Sequence, residues 1–117
     1  MSINKVILIG HVGKYADVRE VGNDKKAQFT LATSEKFKNR NGAVVETTEW
    51  HSIEVWGRLA EVAEKYICKG SKVYVEGKIK TEKYTDKEGN DRYLTKILAN
   101  NIQLLDRKQN EDDDLPE

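Results

Sequence analysis

Two tryptophans stand close together in one short stretch of this sequence, and they are its best-placed groups for molecular recognition. The stretch, residues 48–57, reads TEWHSIEVWG. In a β-strand, alternation places Trp50 and Trp56 on one face together with Ser52 and Glu54. The opposite face then carries His51, Ile53 and Val55. Large aromatic side chains usually lie with aliphatic ones, away from water, so this polar face suggests a surface for stacking on a flat ligand. The edge of a barrel or a subunit contact would use the same two indoles.

Two further aromatics, Phe37 and Tyr84, lie among basic residues and extend this pattern. The cations that accompany the four aromatics are Lys36, Lys38, Arg40, Arg58, Lys78, Lys80 and Lys83. Single-stranded nucleic acid exposes a charged backbone and flat bases, so a basic groove with interleaved aromatics is its generic receptor. Alternation along the strand turns Phe37 inward, away from the other three aromatics. For Phe37 to join them on the outer face, we expect a bend or bulge after Thr33.

Residues that could support catalysis or metal binding do not converge. His11 and His51 fall on different predicted strands without a cysteine partner, so a structural, hydrogen-bonded role is expected for each. The single cysteine, Cys68, follows a predicted helix, whose C-terminal end disfavours a thiolate. The sequence contains neither Gly-x-x-x-x-Gly-Lys nor Gly-x-Gly-x-x-Gly, the glycine-rich motifs that bind phosphate. We therefore expect no enzymatic activity, no metal site and no cofactor.

The composition predicts one domain with a modest core and a heavily charged surface. Of the 117 residues, 38% are hydrophobic and 34% are charged, and the formal net charge is zero. The charge is uneven, because residues 111–117 hold five acidic residues and no basic one. Residues 1–110 carry twenty basic and fifteen acidic residues, a balance of +5 that fits binding of a polyanion. No segment resembles a membrane helix or a signal peptide, so a cytoplasmic location is expected.

The elements that must position these groups are five strands and one helix. The predicted strands are residues 3–12, 27–34, 48–57, 71–84 and 92–105, with a possible short extension at 17–21. Apolar residues recur at helical spacing from Leu59 to Ile67, and Gly70 ends that helix. An irregularity is expected in the last strand near Asn100 and Asn101, and the pattern is lost after residue 106.

This order of elements predicts an all-β fold, the five-stranded OB-fold barrel with one α-helix between strands 3 and 4. An open five-stranded sheet with a helix on one face has the same order. Gly10, Gly57 and Gly77 could relieve tight bends in the long strands, and they favour closure into a barrel. The domain is expected to span residues 1–106, followed by a short acidic disordered tail at 107–117.

Six blocks of the sequence, in this order, resemble the signature of the bacterial single-stranded DNA-binding protein (SSB) family. The blocks are residues 4–10 (NKVILIG), 31–35 (LATSE), 48–51 (TEWH), 56–61 (WGRLAE), 69–77 (KGSKVYVEG) and 91–93 (DRY). The resemblance implies an OB-fold, assembled as a homotetramer, that wraps single-stranded DNA during DNA replication, recombination and repair. It also implies a nucleoid-associated location in a bacterial cell.

The resemblance assigns roles to particular residues of this chain. It makes Phe37, Trp50, Trp56 and Tyr84 the base-stacking aromatics. It also implies that the subunit interface contains Val6, Ile7, Leu8, Ile9 and His51. A doubly apolar run at the start of the first strand fits such an interface, because each of its faces needs a cover.

The resemblance further implies a C-terminal tip that docks on replication and repair proteins. That tip would comprise Asp112, Asp113, Asp114, Leu115 and Pro116. The family tip ends in proline and phenylalanine after a long linker, whereas here the linker is nearly absent and Glu117 follows the proline, so the aromatic anchor for a pocket is missing. A second hypothesis is a primosome-type OB assembly protein, whose aromatics serve protein contacts first. An OB-fold hydrolase is the third.

Overall fold

The computed structural model describes residues 1–105, which form six strands and one helix. The elements are β1 (Val6–Val12), β2 (Asp17–Val21), β3 (Asp24–Lys38), β4 (Val44–Trp56), α1 (Arg58–Tyr66), β5 (Lys72–Thr85) and β6 (Asp91–Leu104). The extension considered at residues 17–21 is therefore a separate short strand, which pairs antiparallel with the start of β3. The acidic tail predicted at residues 107–117, including its docking tip, lies outside the described residues.

The five long strands are hydrogen-bonded in a closed ring, β1–β5–β6–β4–β3, which β1 completes by pairing with β3. The closing register places His11 opposite Ala32 and Val12 opposite Leu31. An open sheet is thereby excluded. The predicted OB-fold is confirmed, with its helix between β4 and β5, the third and fourth long strands.

Two glycines allow neighbouring backbones of the ring to approach one another closely. A Cβ atom at Gly10 would lie 2.2 Å from the carbonyl oxygen of Ala32, and one at Gly77 would lie 2.3 Å from that of Leu98. The pairing of β5 with β6 also shifts register between Glu76 and Gly77, opposite Asn100. The irregularity predicted near Asn100 is therefore confirmed, and the two glycines serve close strand contact at these points.

The core forms from the inward positions of the strands and from one face of the helix. Its largest fully buried side chains are Leu31, Ile53, Val55, Val73 and Val75. They follow the period-two pattern read from the sequence, because alternate residues of a strand point to opposite faces. Ala60 and Ala63 of α1 are buried in the same cluster, together with Ile67 just after the helix.

The first strand buries only one of its two apolar faces. Val6 and Leu8 pack against the core, whereas Ile7 and Ile9 point outward and are 57% and 51% exposed. Within the described residues the outer face of β1 has no cover, so its role as a subunit contact stays a prediction.

Candidate nucleic-acid interface

The β3–β4 hairpin carries the two tryptophans on its outer face, as alternation predicts. The two strands pair without a register shift, with Trp50 opposite Ala32 and Trp56 opposite Lys26. Trp50 is 60% exposed and Trp56 is 38% exposed, while Ile53 and Val55 on the inward face of β4 are buried. Both indoles thus offer surface to a ligand although large aromatics normally lie in the core.

Phe37 lies on the opposite face of this hairpin, and the predicted bulge after Thr33 is wrong. Pairing continues unbroken to Lys38 opposite Val44, so Phe37 keeps the side of the strand that Phe29 and Leu31 occupy. It is nevertheless 51% exposed. The reason is that β1 pairs with β3 no further than Ala32, so the end of the hairpin projects beyond the closed ring.

Tyr84 lies on the second projecting hairpin, formed by β5 and β6, opposite Arg92. Its side chain is about half exposed, and alternation places it on the same side of β5 as Lys78 and Lys80. Lys83 lies on the other side of the strand. The sequence grouped all three lysines with Tyr84, but only Lys78 and Lys80 share its face.

The seven cations proposed for the groove differ in their surroundings. Among the described residues, Lys36, Lys38, Arg40, Arg58 and Lys78 are exposed and form no ion pair. Lys80 lies 4.0 Å from Glu82, and Lys83 lies 3.4 Å from Asp91. The first five are thus the cations free to meet phosphate without breaking an ion pair.

A buried charge network on the tryptophan face was not predicted. Glu54 is 4% exposed and Lys96 is 5% exposed, and the two form a hydrogen-bonded ion pair. Lys96 also contacts Glu82 at 2.9 Å, and Gln28 donates to Glu54 at 3.5 Å. Trp56 completes the network, because its indole N–H donates to Oε2 of Glu54 at 2.6 Å.

The network holds both charges in their ionised forms. Burial alone would raise the pKa of Glu54, but hydrogen bonds from Lys96 and Trp56 outweigh it, and the pKa lies below its ordinary value. Burial alone would lower the pKa of Lys96, but hydrogen bonds to Glu54 and Glu82 raise it. Alternation placed Glu54 on a solvated face, and only the register of β4 against β6 brings a lysine beside it.

A further cation, Lys26, stands beside Trp56 and was also missed. Its amino group lies 5.7 Å from the centre of the indole ring, within the range of a cation–π contact. The two residues are direct cross-strand partners. No sequence pattern fixes that pairing, because it depends on the register of the hairpin.

The two histidines have separate environments. Nε2 of His51 lies 2.9 Å from the hydroxyl oxygen of Thr33, and the ring is half-buried, whereas His11 is exposed. Residues 1–105 contain no group of three His, Cys, Asp or Glu side chains that could hold a metal ion. Over the same residues, no helix is long and apolar enough to cross a membrane.

An open cleft lies where β4 and β6 separate. These strands pair only at Ile53 with Ile97 and Glu54 with Leu98, and the gap beside that pairing encloses about 470 Å³. Trp50 and Ser52 line one side of it and Thr95 lines the other. Trp50 is thus accessible from the cleft as well as from the outer face of the hairpin.

The model of the single-strand binding protein family matches residues 3–105 of the chain. "Single-stranded DNA-binding protein 1" of Chlorobaculum tepidum is 44% identical over 108 residues, which are 91% of this chain and 67% of the relative. The "Single-stranded DNA-binding protein" of Neisseria meningitidis serogroup A is 46% identical over 106 residues, 90% of this chain and 61% of the relative. The chain thus spans between 61% and 67% of the length of these relatives.

Among solved structures, the fold is similar to that of "Plasmodium falciparum SSB complex with ssDNA", with a TM-score of 0.84 and 34% sequence identity. The match covers 91% of this chain and 97% of the other. The ring of strands, the position of the helix and the sequence identity agree with one another. The chain belongs to the single-strand binding protein family.

Proposed function

We propose that this chain binds and protects single-stranded DNA with little sequence preference and without enzymatic activity. The observation that carries the proposal is the pair of exposed indoles, Trp50 and Trp56, on an otherwise polar face of β4. Membership of the family and the names of the relatives support it, as does the similarity to the Plasmodium protein, whose structure is a complex with single-stranded DNA.

Binding would proceed by base stacking on the aromatics and by ionic contacts with the phosphates. Trp50 and Trp56 would take bases on the outer face of the β3–β4 hairpin, and Tyr84 would take one on the β5–β6 hairpin. Each such stack contributes about 1–3 kcal/mol with little preference among bases. Phosphates would meet the exposed cations that lack an ion pair among the described residues, namely Lys36, Lys38, Arg40, Arg58 and Lys78.

The wider assembly is part of the same proposal. We infer that residues 1–106 are the DNA-binding domain, that the acidic tip contacts replication and repair proteins, and that the protein works in the bacterial cytoplasm at the nucleoid. A homotetramer would cover the outer face of β1, where Ile7 and Ile9 are exposed. Light scattering with and without a long oligo-dT measures the assembly and its DNA stoichiometry together.

The direct test is a titration of the protein with oligo-dT at low salt. Tryptophan fluorescence should fall and the complex should be retarded on a gel. Unchanged fluorescence together with no retardation would refute DNA binding. Tyr66→Ala provides a control, because Tyr66 is an exposed aromatic at the last residue of α1 and is not among the residues proposed to bind DNA, so its removal should leave the affinity unchanged.

The rival assembly function is favoured by one observation, the uncovered apolar face of β1. A variant with alanine at both Trp50 and Trp56 separates the two functions. Loss of DNA binding with an unchanged oligomer supports the stacking role. Loss of the oligomer supports an assembly role for the aromatics.

A further inference from the structure

The buried ion pair of Glu54 and Lys96 has an unusual position for a charge network. Both residues point to the outer face of the sheet, where side chains are expected to meet water, yet each is about 95% buried. Alternation gives Glu54 the same face as Trp50 and Trp56. The network therefore lies within the proposed DNA-binding surface.

The network connects four strands, three of them through the carboxylate of Glu54 and the fourth through Lys96. Gln28 on β3 and Lys96 on β6 donate to Oε1 of Glu54 on β4, and Lys96 also reaches Glu82 on β5. The second oxygen, Oε2, is left to accept the indole N–H of Trp56 at 2.6 Å. One oxygen of the carboxylate is thus fixed by Lys96 and Gln28, and the other oxygen fixes the indole of Trp56.

Fold stability alone does not explain such a pair. Desolvation of two charges offsets most of their attraction, and replacement of a buried ion pair by apolar residues of similar size is often neutral or stabilising. The distinct effect of this pair is on the orientation of Trp56. Its N–H edge is fixed to Glu54, while Lys26 lies 5.7 Å from the ring centre.

We propose that Glu54 and Lys96 are positioning residues for Trp56: Lys96 fixes the carboxylate of Glu54, and Glu54 fixes the indole so that it presents a stacking surface to a base. This inference rests on the proposed binding of single-stranded DNA. Neither positioning residue needs to touch the DNA, since both are buried beside the indole that would.

The test uses the full chain carrying Trp50→Phe, so that Trp56 is the only indole. In this background, Glu54→Leu combined with Lys96→Met removes the acceptor and both buried charges. We expect a thermal midpoint equal to or above that of the background, a lower fluorescence anisotropy of Trp56, and oligo-dT affinity about threefold to tenfold weaker. This loss lies at or below the lower end of the roughly 5- to 150-fold range for complete removal of a stacked base.

Two further variants separate positioning from general damage. Glu54→Gln combined with Lys96→Met keeps one oxygen, which can accept the indole N–H without competition from the lysine, so it should recover part of the affinity that the apolar variant loses. Lys25→Met combined with Glu64→Leu removes an ion pair between β3 and α1, whose charged groups lie 2.8 Å apart, and should leave the anisotropy and the affinity unchanged.

The indole N–H resonance of the Trp50→Phe protein gives a measurement that does not depend on the folding of the apolar variant. It should be shifted downfield and exchange slowly with water. A freely exchanging resonance would overturn the inference, as would an apolar variant with unchanged affinity and anisotropy. If the unmodified protein does not bind oligo-dT, the proposed function fails, whereas the resonance and the anisotropy still decide whether Glu54 and Lys96 position Trp56.

Discussion

The backbone of Gly13 lies against the indole of Trp50, and a methyl group at Gly13 would lie 2.7 Å from Cζ3 of the ring. The same methyl would lie 2.7 Å from the hydroxyl oxygen of Thr30. The loop cannot move away easily, because the N–H of Gly13 donates to the carbonyl oxygen of Thr30 at 3.0 Å. The glycine thus supports part of the indole while the rest stays exposed.

Gly13→Ala is expected to weaken binding of oligo-dT without unfolding the protein. The added methyl must displace the ring of Trp50, since the backbone of the loop is hydrogen-bonded to β3. The affinity should fall by less than in Trp50→Ala, for which loss of one stack predicts about 1–3 kcal/mol. Fluorescence titration measures both effects.

A double-mutant cycle controls this prediction. In a Trp50→Ala background, Gly13→Ala should cost nothing further, because the ring that it displaces is gone. Equal losses with and without the ring would show that Gly13 acts on binding by another route.

Gly10→Ala and Gly77→Ala should reduce stability rather than binding. In each, the new methyl meets a carbonyl oxygen of the adjacent strand, at 2.2 Å and 2.3 Å, and the backbone that carries this oxygen cannot rotate away. Overpacking of this kind typically costs about 1–3 kcal/mol, and urea unfolding measures it. Glu35→Ala, at an exposed residue of β3 whose side chain forms no hydrogen bond or ion pair among residues 1–105, is the control and should stay within about 0.5 kcal/mol. A midpoint unchanged in both glycine variants would contradict the close approach.

The sequence predicts the fold well because its signals are local and periodic. Alternation identified Leu31, Ile53 and Val75 as inward residues, and glycines marked the turns. The same alternation predicted that both tryptophans leave the core. Nothing more than the direction of successive side chains was needed for these results.

The parts of the site that the sequence missed depend on register between strands. Alternation alone turned Phe37 inward, and only the bulge assumed after Thr33 moved it to the outer face; the β3–β4 pairing has no such bulge. Glu54 was expected to be solvated, but β6 delivers Lys96 beside it. Pairing partners that are about forty residues apart in the chain leave no local pattern, so these contacts follow only from the closed ring.

Phe37→Ala should affect long DNA more than short DNA. Phe37 and Trp50 lie on opposite faces of one hairpin, so a short oligonucleotide stacked on Trp50 and Trp56 cannot also lie on Phe37 of the same chain. A DNA strand long enough to pass around the projecting hairpin can contact both faces. We expect no change in affinity for an oligonucleotide of a few bases and a loss for a long oligo-dT, measured by fluorescence titration. An equal loss for both lengths would contradict separate faces.

The salt dependence of binding should distinguish phosphate contacts from positioning. For single strands, the slope of log affinity against log salt changes by about 0.7 for each phosphate that the protein no longer neutralises. Lys78→Ala, at an exposed lysine without an ion pair among residues 1–105, should reduce the slope by about this amount. Lys96→Met should lower the affinity with the slope unchanged, because Lys96 is buried and its amino group is occupied by Glu54 and Glu82. A reduced slope in Lys96→Met would place this lysine on a phosphate.

The stability of the fold should depend on pH through the ionisation of Glu54. Lys96 determines whether that ionisation stabilises or destabilises the fold. The folded pKa of Glu54 lies below its ordinary value of 4.5, so the ionised network stabilises the fold above that pH. This contribution is lost as the pH falls through the lowered pKa. The difference in unfolding free energy between wild type and Glu54→Gln should therefore shrink as the pH is lowered from about 6 to below 4.5.

In Lys96→Met, ionisation of Glu54 should destabilise the fold instead of stabilising it. Without the lysine, burial is opposed only by the indole N–H of Trp56 and by Lys26, so we expect the pKa of Glu54 to rise above its ordinary value, and the buried carboxylate then destabilises the fold until it is protonated. The deficit of Lys96→Met relative to wild type should thus be large at neutral pH and shrink as the pH falls, because protonation relieves the variant while it weakens the wild type. Urea unfolding over this pH range measures both curves. A pH-independent deficit would show that the loss of Lys96 acts through packing and not through the charge of Glu54.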